Sequence, residues 1–153
     1  MRDADILDLP AIVALLADDE SGRLREDASL PLDPRYAAAF EEITQTPNHR
    51  LIVAENGGGV VGTMQLSFLP GLSFRGAWRM QIEAVRIASA QRSQGFGRAM
   101  ILWAIAEARA RKVRLIQLTS TNSRTRAHAF YERLGFSKSH VGMKFHLHEE
   151  PGP

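Results

Sequence analysis

Between Arg92 and Met100 the chain reads RSQGFGRAM, and this stretch limits what the rest can fold into. Before it, Gln81 to Ile87 has strand character; after it, Met100 to Ala110 repeats apolar residues at helical spacing. Glycine interrupts both kinds of element, so Gly95 and Gly97 mark a tight passage from a strand into a helix. A helix that opens on glycine offers unpaired main-chain N–H groups in one concave patch, with roughly half a positive charge from the aligned peptide dipoles. Such a patch suits a phosphate, and Arg92 and Arg98 supply flanking charge. Strand-to-helix turns also carry glycine for steric reasons alone, so the turn by itself leaves both readings open. Two phosphate motifs fail on spacing. A Walker loop needs roughly four residues between its glycines and then Gly-Lys-Ser/Thr. A dinucleotide fingerprint needs a third glycine where Met100 stands and an acid about twenty residues on, where Gln117 to Ser120 are neutral.

The flanking patterns give the order of elements. Ile6, Leu9, Ile12, Val13, Leu15 and Leu16 behind the acids Asp5 and Asp8 predict a helix over Asp5 to Ala17, and Asp33-Pro34 opens a second that ends near Thr46. Leu51 to Ala54 and Val60 to Phe68 around Gly57-Gly58-Gly59 predict a hairpin. Strand character returns over Trp78 to Ala88, then a helix over Gly97 to Arg111 and a short strand over Arg114 to Thr119. Arg126 to Leu134 places Ala127, Phe130, Tyr131 and Leu134 on one helical face, with Gly135 as its left-handed stop and Phe136 folding back. Val141 to His148 reads as a last strand and Glu149 to Pro153 as a frayed tail, so residues 1–148 are expected to form a single domain. Two helices, three strands, helix, strand, helix, strand is a mixed α/β order with one sheet.

Composition narrows the function classes. A chain of 153 residues is of single-domain size, and 19 basic against 17 acidic residues leave a formal charge of +2, so nothing argues for nucleic acid as a partner. Without cysteine there is no disulfide framework, thiolate nucleophile or thiolate metal site, and the expected compartment is the cytoplasm. MRDADILDLP carries early acids and no apolar core flanked by basic residues, and no apolar run reaches about 18 residues, so neither secretion nor membrane spanning is expected. His140, His146 and His148 partly follow strand alternation, but no carboxylate set stands near them before Glu149, and no metal is expected.

With its preceding strand, VRIASAQRSQGFGRAM resembles the acyl-CoA signature of the GNAT superfamily of N-acyltransferases, Arg/Gln-x-x-Gly-x-Gly/Ala. NSRTRAHAFYERLGF (Asn122 to Phe136) is similar to that family's second signature. The resemblance implies a single mixed, mostly antiparallel central sheet flanked by helices, an α/β (α+β) fold whose first strand is here short or absent. It implies acetyl-CoA as the acyl donor and a primary amine, on a small molecule or a protein, as acceptor. It also brings an expectation of homodimers, for which no interface can be pointed to. By the same resemblance the backbone at Val85 and Ile87 would pair with the pantetheine arm. The N–H groups of Ser93, Gln94, Gly95, Phe96, Gly97 and Arg98, beside Arg92, would hold the pyrophosphate. Asn122 would contact the cofactor arm and Tyr131 would stand near the thioester sulfur. Ser93 replaces the family's usual glycine, at little expected cost if only its N–H is used.

Acyl transfer to an amine needs a proton acceptor for the attacking nitrogen and a donor for the departing thiolate. Counting by two along the strand puts Glu83, Val85 and Ile87 on one face, so Glu83 is the candidate base, a carboxylate on an otherwise apolar side where burial would raise its pKa. A bulged strand would instead turn it to solvent. Tyr131 is the candidate acid, since a phenol donates without being charged; its helical spacing also fits a core aromatic. His128, one turn earlier, shares its face. Asp18, Asp19 and Glu20, with Phe74 to Trp78, are the expected acceptor lining, where acids would favour a cationic amine. Direct attack in a ternary complex needs no covalent acyl-enzyme. The competing reading is a non-catalytic acyl-CoA sensor or interaction module.

Overall fold

The computed structural model describes residues 1–145 and Leu147; His146 and 148–153 lie outside the described residues, and with them the expected tail. The chain divides into two compact units, Met1–Leu118 and Thr119–Pro153.

In the first unit, β1 (Arg2–Asp3) pairs with β2, the expected short first strand. The first helix is split: Asp5 accepts from the Leu7 N–H and starts a 3-10 turn (Ile6–Asp8), and α1 (Leu9–Ala17) follows with Pro10 in its first turn, where its missing N–H costs nothing. A one-turn α2 (Glu20–Arg23) comes next, capped by Asp19. It folds so tightly against the end of α1 that a Cβ on Gly22 would lie 2.1 Å from the Leu16 carbonyl oxygen. Then follow α3 (Pro34–Gln45), the hairpin β2 (His49–Asn56) and β3 (Gly59–Leu69), a single turn α4 (Ser73–Gly76), β4 (Arg79–Ile87), α5 (Phe96–Ala110) and β5 (Leu115–Leu118). The sheet order is β1-β2-β3-β4-β5; every pairing is antiparallel except β4 with β5, which α5 connects in parallel.

The sheet is covered on both faces. On one, Leu51 and Val53 close a core with Leu9, Ile12 and Val13 of α1 and Phe40 of α3. On the other, α5 lies against β3 and β4, and Met64, Leu66, Met80, Ile82, Met100, Ile101 and Ala104 are buried. The helix comes close at Gly62, where a Cβ would stand 2.8 Å from Met100 Sδ.

The second unit contains α6 (Thr125–Arg133). As expected, Gly135 takes φ 94° and ends it: the Tyr131 carbonyl accepts from the Phe136 N–H, and the rings of Tyr131 and Phe136 meet at 5.7 Å. The strand expected from Val141 is not formed over the described residues, and Val141, Met143 and Phe145 are exposed. Alternation marks which residues could share a face, but a strand exists only when a neighbour pairs with it.

Arg2 ties the sheet edge to the first turn, donating to Asp8 at 2.7 and 2.9 Å and to Glu55 at 2.7 Å. Asp8 is buried, and the hydrogen bonds from Arg2, joined by the Asp5 N–H, hold its carboxyl below the ordinary value of 3.8 against the opposing effect of burial. A depressed carboxyl stabilises fully above its unfolded pKa and loses that contribution as pH falls through the lowered folded value. Asp8→Asn is therefore expected to lose about 1–3 kcal/mol at neutral pH. Denaturant titrations near pH 7 and near pH 3 should show that this difference shrinks on the acid side, below about pH 4.

Candidate functional site

Strand β4 is built in two halves. From Arg79 to Ile82 it is bonded on both sides, to β3 and to β5; beyond Ile82, opposite Leu118, the parallel pairing stops, and among the described residues Glu83 to Ile87 keep only β3. The β3 register jumps there, Gln65 facing Glu83 but Thr63 facing Arg86, so β4 holds one extra residue. Ala84 takes φ 51° at that bulge.

The bulge corrects the count by two. Before it, Met80 and Ile82 lie on the α5 face, so Gln81 and Glu83 lie on the face of Leu51 and Val53; after it, Arg86 opposite Thr63 takes over that face, while Ile87 sits opposite Gly62 on the α5 side. Glu83 therefore does not share a face with Ile87. It is exposed, and its surroundings are polar rather than apolar: Gln65 is directly opposite, and the next row runs His49, Ser67, Gln81, Gln117 in register across four strands. Within that row His49 Nδ1 and Ser67 Oγ are 2.8 Å apart, and Gln117 donates to Gln81 at 2.7 Å. Sequence reading missed this row because its members are spread over four strands.

On the open side of β4, carbonyls are taken by arginines. The Ala88 N–H donates to the Val61 carbonyl, so by alternation Val85 and Ile87 point their peptide groups away from β3. The Val85 carbonyl accepts from Arg86 Nη1 at 3.0 Å and the Ile87 carbonyl from Arg92 Nε at 3.0 Å. Arg92 thus reaches back to the strand. Its Nη2 donates to the Asp18 carbonyl at 2.7 Å and lies 3.1 Å from the Asp18 carboxylate.

The turn that follows has the geometry of an anion cradle. Ser93 and Gly95 both take left-handed angles, φ 65° and 89°, on either side of Gln94. Among the described residues, none of the main-chain N–H groups from Ser93 to Arg98 donates to a protein acceptor; the first bond of α5 is Ala99 N–H to the Gly95 carbonyl. A Cβ at Gly95 would meet nothing within 4 Å, so its glycine answers to backbone angle rather than crowding, and the space before it is open. Arg98 is exposed and carries no ion pair among the described residues. Alternating left- and right-handed residues with free N–H groups are the arrangement that receives phosphate oxygens, so the residues present fit a pyrophosphate.

The expected acceptor acids do not stand free. Asp18 accepts from the Ser89 N–H at 2.6 Å, and Asp19 caps α2 at the Gly22 N–H, 2.7 Å, with its other oxygen 3.7 Å from Arg86 Nε. Glu20 is exposed. Phe74 is exposed beneath the guanidinium of Arg114, 4.5 Å from its ring centre.

In the second unit Asn122 is exposed in the turn before α6. Tyr131 is half-buried between Phe130 and Phe136, centroids 5.0 and 5.7 Å away. His128 is half-buried and its Nε2 donates to the Thr121 carbonyl at 3.0 Å, which fastens the turn to the helix rather than leaving the ring free.

Residues 11–136 match the family described as the Acetyltransferase (GNAT) family. An aminoalkylphosphonate N-acetyltransferase of Salmonella typhimurium is 32% identical over 140 residues, which span 92% of this chain and 86% of that protein. A crystal structure from Bacillus halodurans C-125, named a transcriptional regulator, superposes with TM-score 0.92 and 47% identity over 95% of this chain and 97% of that one. Glucosamine-6-phosphate N-acetyltransferase from Arabidopsis thaliana shares the fold, with TM-score 0.79 and 20% identity over 96% and 97% of the chains.

The expectation that Ser93 costs little is corrected by its φ of 65°, which disfavours any residue with a Cβ. Left-handed geometry costs an L-residue about 1–2 kcal/mol, and glycine gives back roughly 0.5–1 through chain entropy. Ser93→Gly is therefore expected to raise stability by about 0.5–1 kcal/mol in urea unfolding.

Proposed function

Since this chain belongs to the acetyltransferase (GNAT) family and is an acyltransferase, we propose that it transfers an acetyl group from acetyl-CoA to a primary amine by direct attack in a ternary complex. The observation that carries this reading is the run of N–H groups from Ser93 to Arg98 that have no acceptor among the described residues, set in the turn that bears the family's signature. In the proposal these groups, with Arg98, hold the pyrophosphate. The open side of β4 at Val85 and Ile87 receives the pantetheine amides through its N–H groups, because its carbonyls already accept from Arg86 and Arg92. Asn122 binds the cofactor arm. The bound thioester supplies an activated acyl carbonyl.

The chain's own groups move the protons. Glu83 takes one from the attacking amine, through a water, and Tyr131 gives one to the departing sulfur. In the proposal residues 1–148 form a single N-acetyltransferase domain, which we place in the cytoplasm. With Asp18 and Asp19 matched by arginines, the acceptor meets Gln65, Gln81 and Glu83 on an otherwise neutral polar face. The name of the 32% identical relative makes short aminoalkylphosphonates the first acceptors to try. The name of the 47% identical structure is the one observation that favours a sensing role beside turnover.

A thiol-release assay across an amine panel that includes an aminoalkylphosphonate tests the proposal. Thioester consumption above background is expected, with kcat reduced about a hundredfold in Glu83→Gln and Tyr131→Phe while CoA affinity by calorimetry stays within about twofold. Full turnover in both variants would remove those two roles; CoA binding without turnover on any amine would leave only the sensing role.

A further inference from the structure

Asp18 is the residue whose contacts the proposed reaction leaves unexplained. It lies between α1 and α2, on the segment expected to face the acceptor, yet among the described residues its hydrogen bonds run to the cofactor turn or to its own helix. One carboxylate oxygen accepts from the Ser89 N–H at 2.6 Å and stands 3.1 Å from Arg92 Nη2, and its carbonyl accepts from the same Nη2 at 2.7 Å. Arg92 in turn donates through Nε to the Ile87 carbonyl at 3.0 Å. Its guanidinium is thereby spanned between the end of β4 and the α1–α2 connection, one residue before the left-handed Ser93.

Asp18 is itself held on both sides. Its N–H donates to the Leu15 carbonyl at 3.3 Å. The neighbouring Asp19 caps α2 at Gly22, which packs on the Leu16 carbonyl too closely for any side chain. The partners cover opposite ends of the 3-10 turn Ser89–Gln91, Ser89 at its start and Arg92 at its C-cap. One carboxylate therefore fixes both ends of the short link that feeds the cradle.

We propose that Asp18 is a positioning residue for the cofactor turn: through Ser89 and Arg92 it sets the direction of the N–H groups from Ser93 to Arg98, so that affinity for the CoA pyrophosphate depends on a side chain that touches no cofactor atom. The inference rests on the acetyl-CoA reading above and adds to it a mechanical link between the acceptor-side segment and the cofactor turn. Arg92 then acts as a brace rather than as a phosphate ligand. By linkage, an acceptor that shifts the α1–α2 segment alters cofactor affinity, and the cofactor alters acceptor affinity by the same factor.

Calorimetry with CoA and initial rates against acetyl-CoA concentration test this on the full chain. Asp18→Ala is expected to weaken CoA binding and raise KM for acetyl-CoA about five- to tenfold, a modest figure because the pair is partly solvated, with a smaller change in kcat and an unmoved pH profile. Asp18→Asn, which keeps an oxygen for the Ser89 N–H, should recover part of that affinity. In a double-mutant cycle, Asp18→Ala with Arg92→Ala should be no worse than the poorer single variant. Affinity of Asp18→Ala equal to or tighter than wild type would overturn the proposal, since Arg92 released from Asp18 would then serve the phosphates by itself. Strict additivity in the cycle, or no recovery in Asp18→Asn, would overturn it too. If Asp18→Ala does not fold, Asp18→Asn against Asp18→Glu gives the same reading by the order of their affinities, and equal affinities there count against it. Wild type that binds no CoA would sink the acetyl-CoA reading together with this one, whereas wild-type binding matched by Asp18→Ala removes the brace alone.

Discussion

A strand that loses its neighbour must still satisfy its main-chain groups, and the middle of this structure follows from how that is done at β4. Pairing with β5 ends at Ile82 and Leu118, and from Glu83 onward one side of the strand has no sheet partner among the described residues. Arginine side chains supply donors where a strand would have, at Val85 and Ile87. A carbonyl capped this way stays in place without a strand to hold it, and the strand can end with its N–H groups facing outward. The proposed pantetheine arm, with both amide donors and acceptors, suits an edge whose own donors have no acceptor among the described residues. The open edge and the phosphate turn then belong to one continuous path along β4 into α5.

The charges around that path are more nearly cancelled than the acids of the first unit suggest when counted alone. Asp18 meets Arg92, Asp19 meets Arg86, Asp8 meets Arg2, and Arg50 bridges Asp3 and Glu107. Most of these acids fix loops and strand ends to one another. Among the described residues Arg98 remains without an ion pair beside the turn, at the opening of α5, where the peptide dipoles already favour an anion. On the opposite sheet face the row from His49 to Gln117 is polar and holds no carboxylate, and Glu83 stands in the row next to it. The cationic turn and the carboxylate of Glu83 thus lie on different parts of the path from β4 into α5, an arrangement that matches the proposed division between phosphate binding and proton transfer.

Much of the order of elements could be read in the sequence, because helical and strand periods are long-range averages that survive local error. Asp33-Pro34, the Gly57-Gly58 hairpin and the Gly135 stop all act through local backbone chemistry, and each is found where it was expected. The bulge was not legible. Ala84 is not the glycine that left-handed geometry invites, and a one-residue insertion leaves alternation looking intact while moving every later side chain to the other face. The partners of Asp18 were hidden for another reason: Arg92 is more than seventy positions away, and sequence gives the charges but not the meeting. Of the strand expected over Val141 to His148, the described residues form none, because alternation over Val141 to Phe145 describes a surface, whereas pairing needs a neighbour.

Two residues with side chains, Ala84 and Ser93, hold left-handed backbone at either end of the open stretch. Each costs about 1–2 kcal/mol against the 5–15 kcal/mol by which domains are stable, so both must be imposed by what surrounds them. For Ala84 the imposing structure is the sheet: Glu83 is locked opposite Gln65 and Arg86 opposite Thr63, and the extra residue has no extended conformation left that serves both registers. For Ser93 it is the pair of anchors before it, since Arg92 is fixed on Ile87 and Asp18 while the chain must still turn into α5 at Gly95. The same restraints that force the strain also turn consecutive N–H groups to one side, which a relaxed strand or helix does not do. Strain and anion cradle are thus one geometric fact, and the residues that keep the strain in place, Asp18 among them, are the ones that keep the cradle aimed.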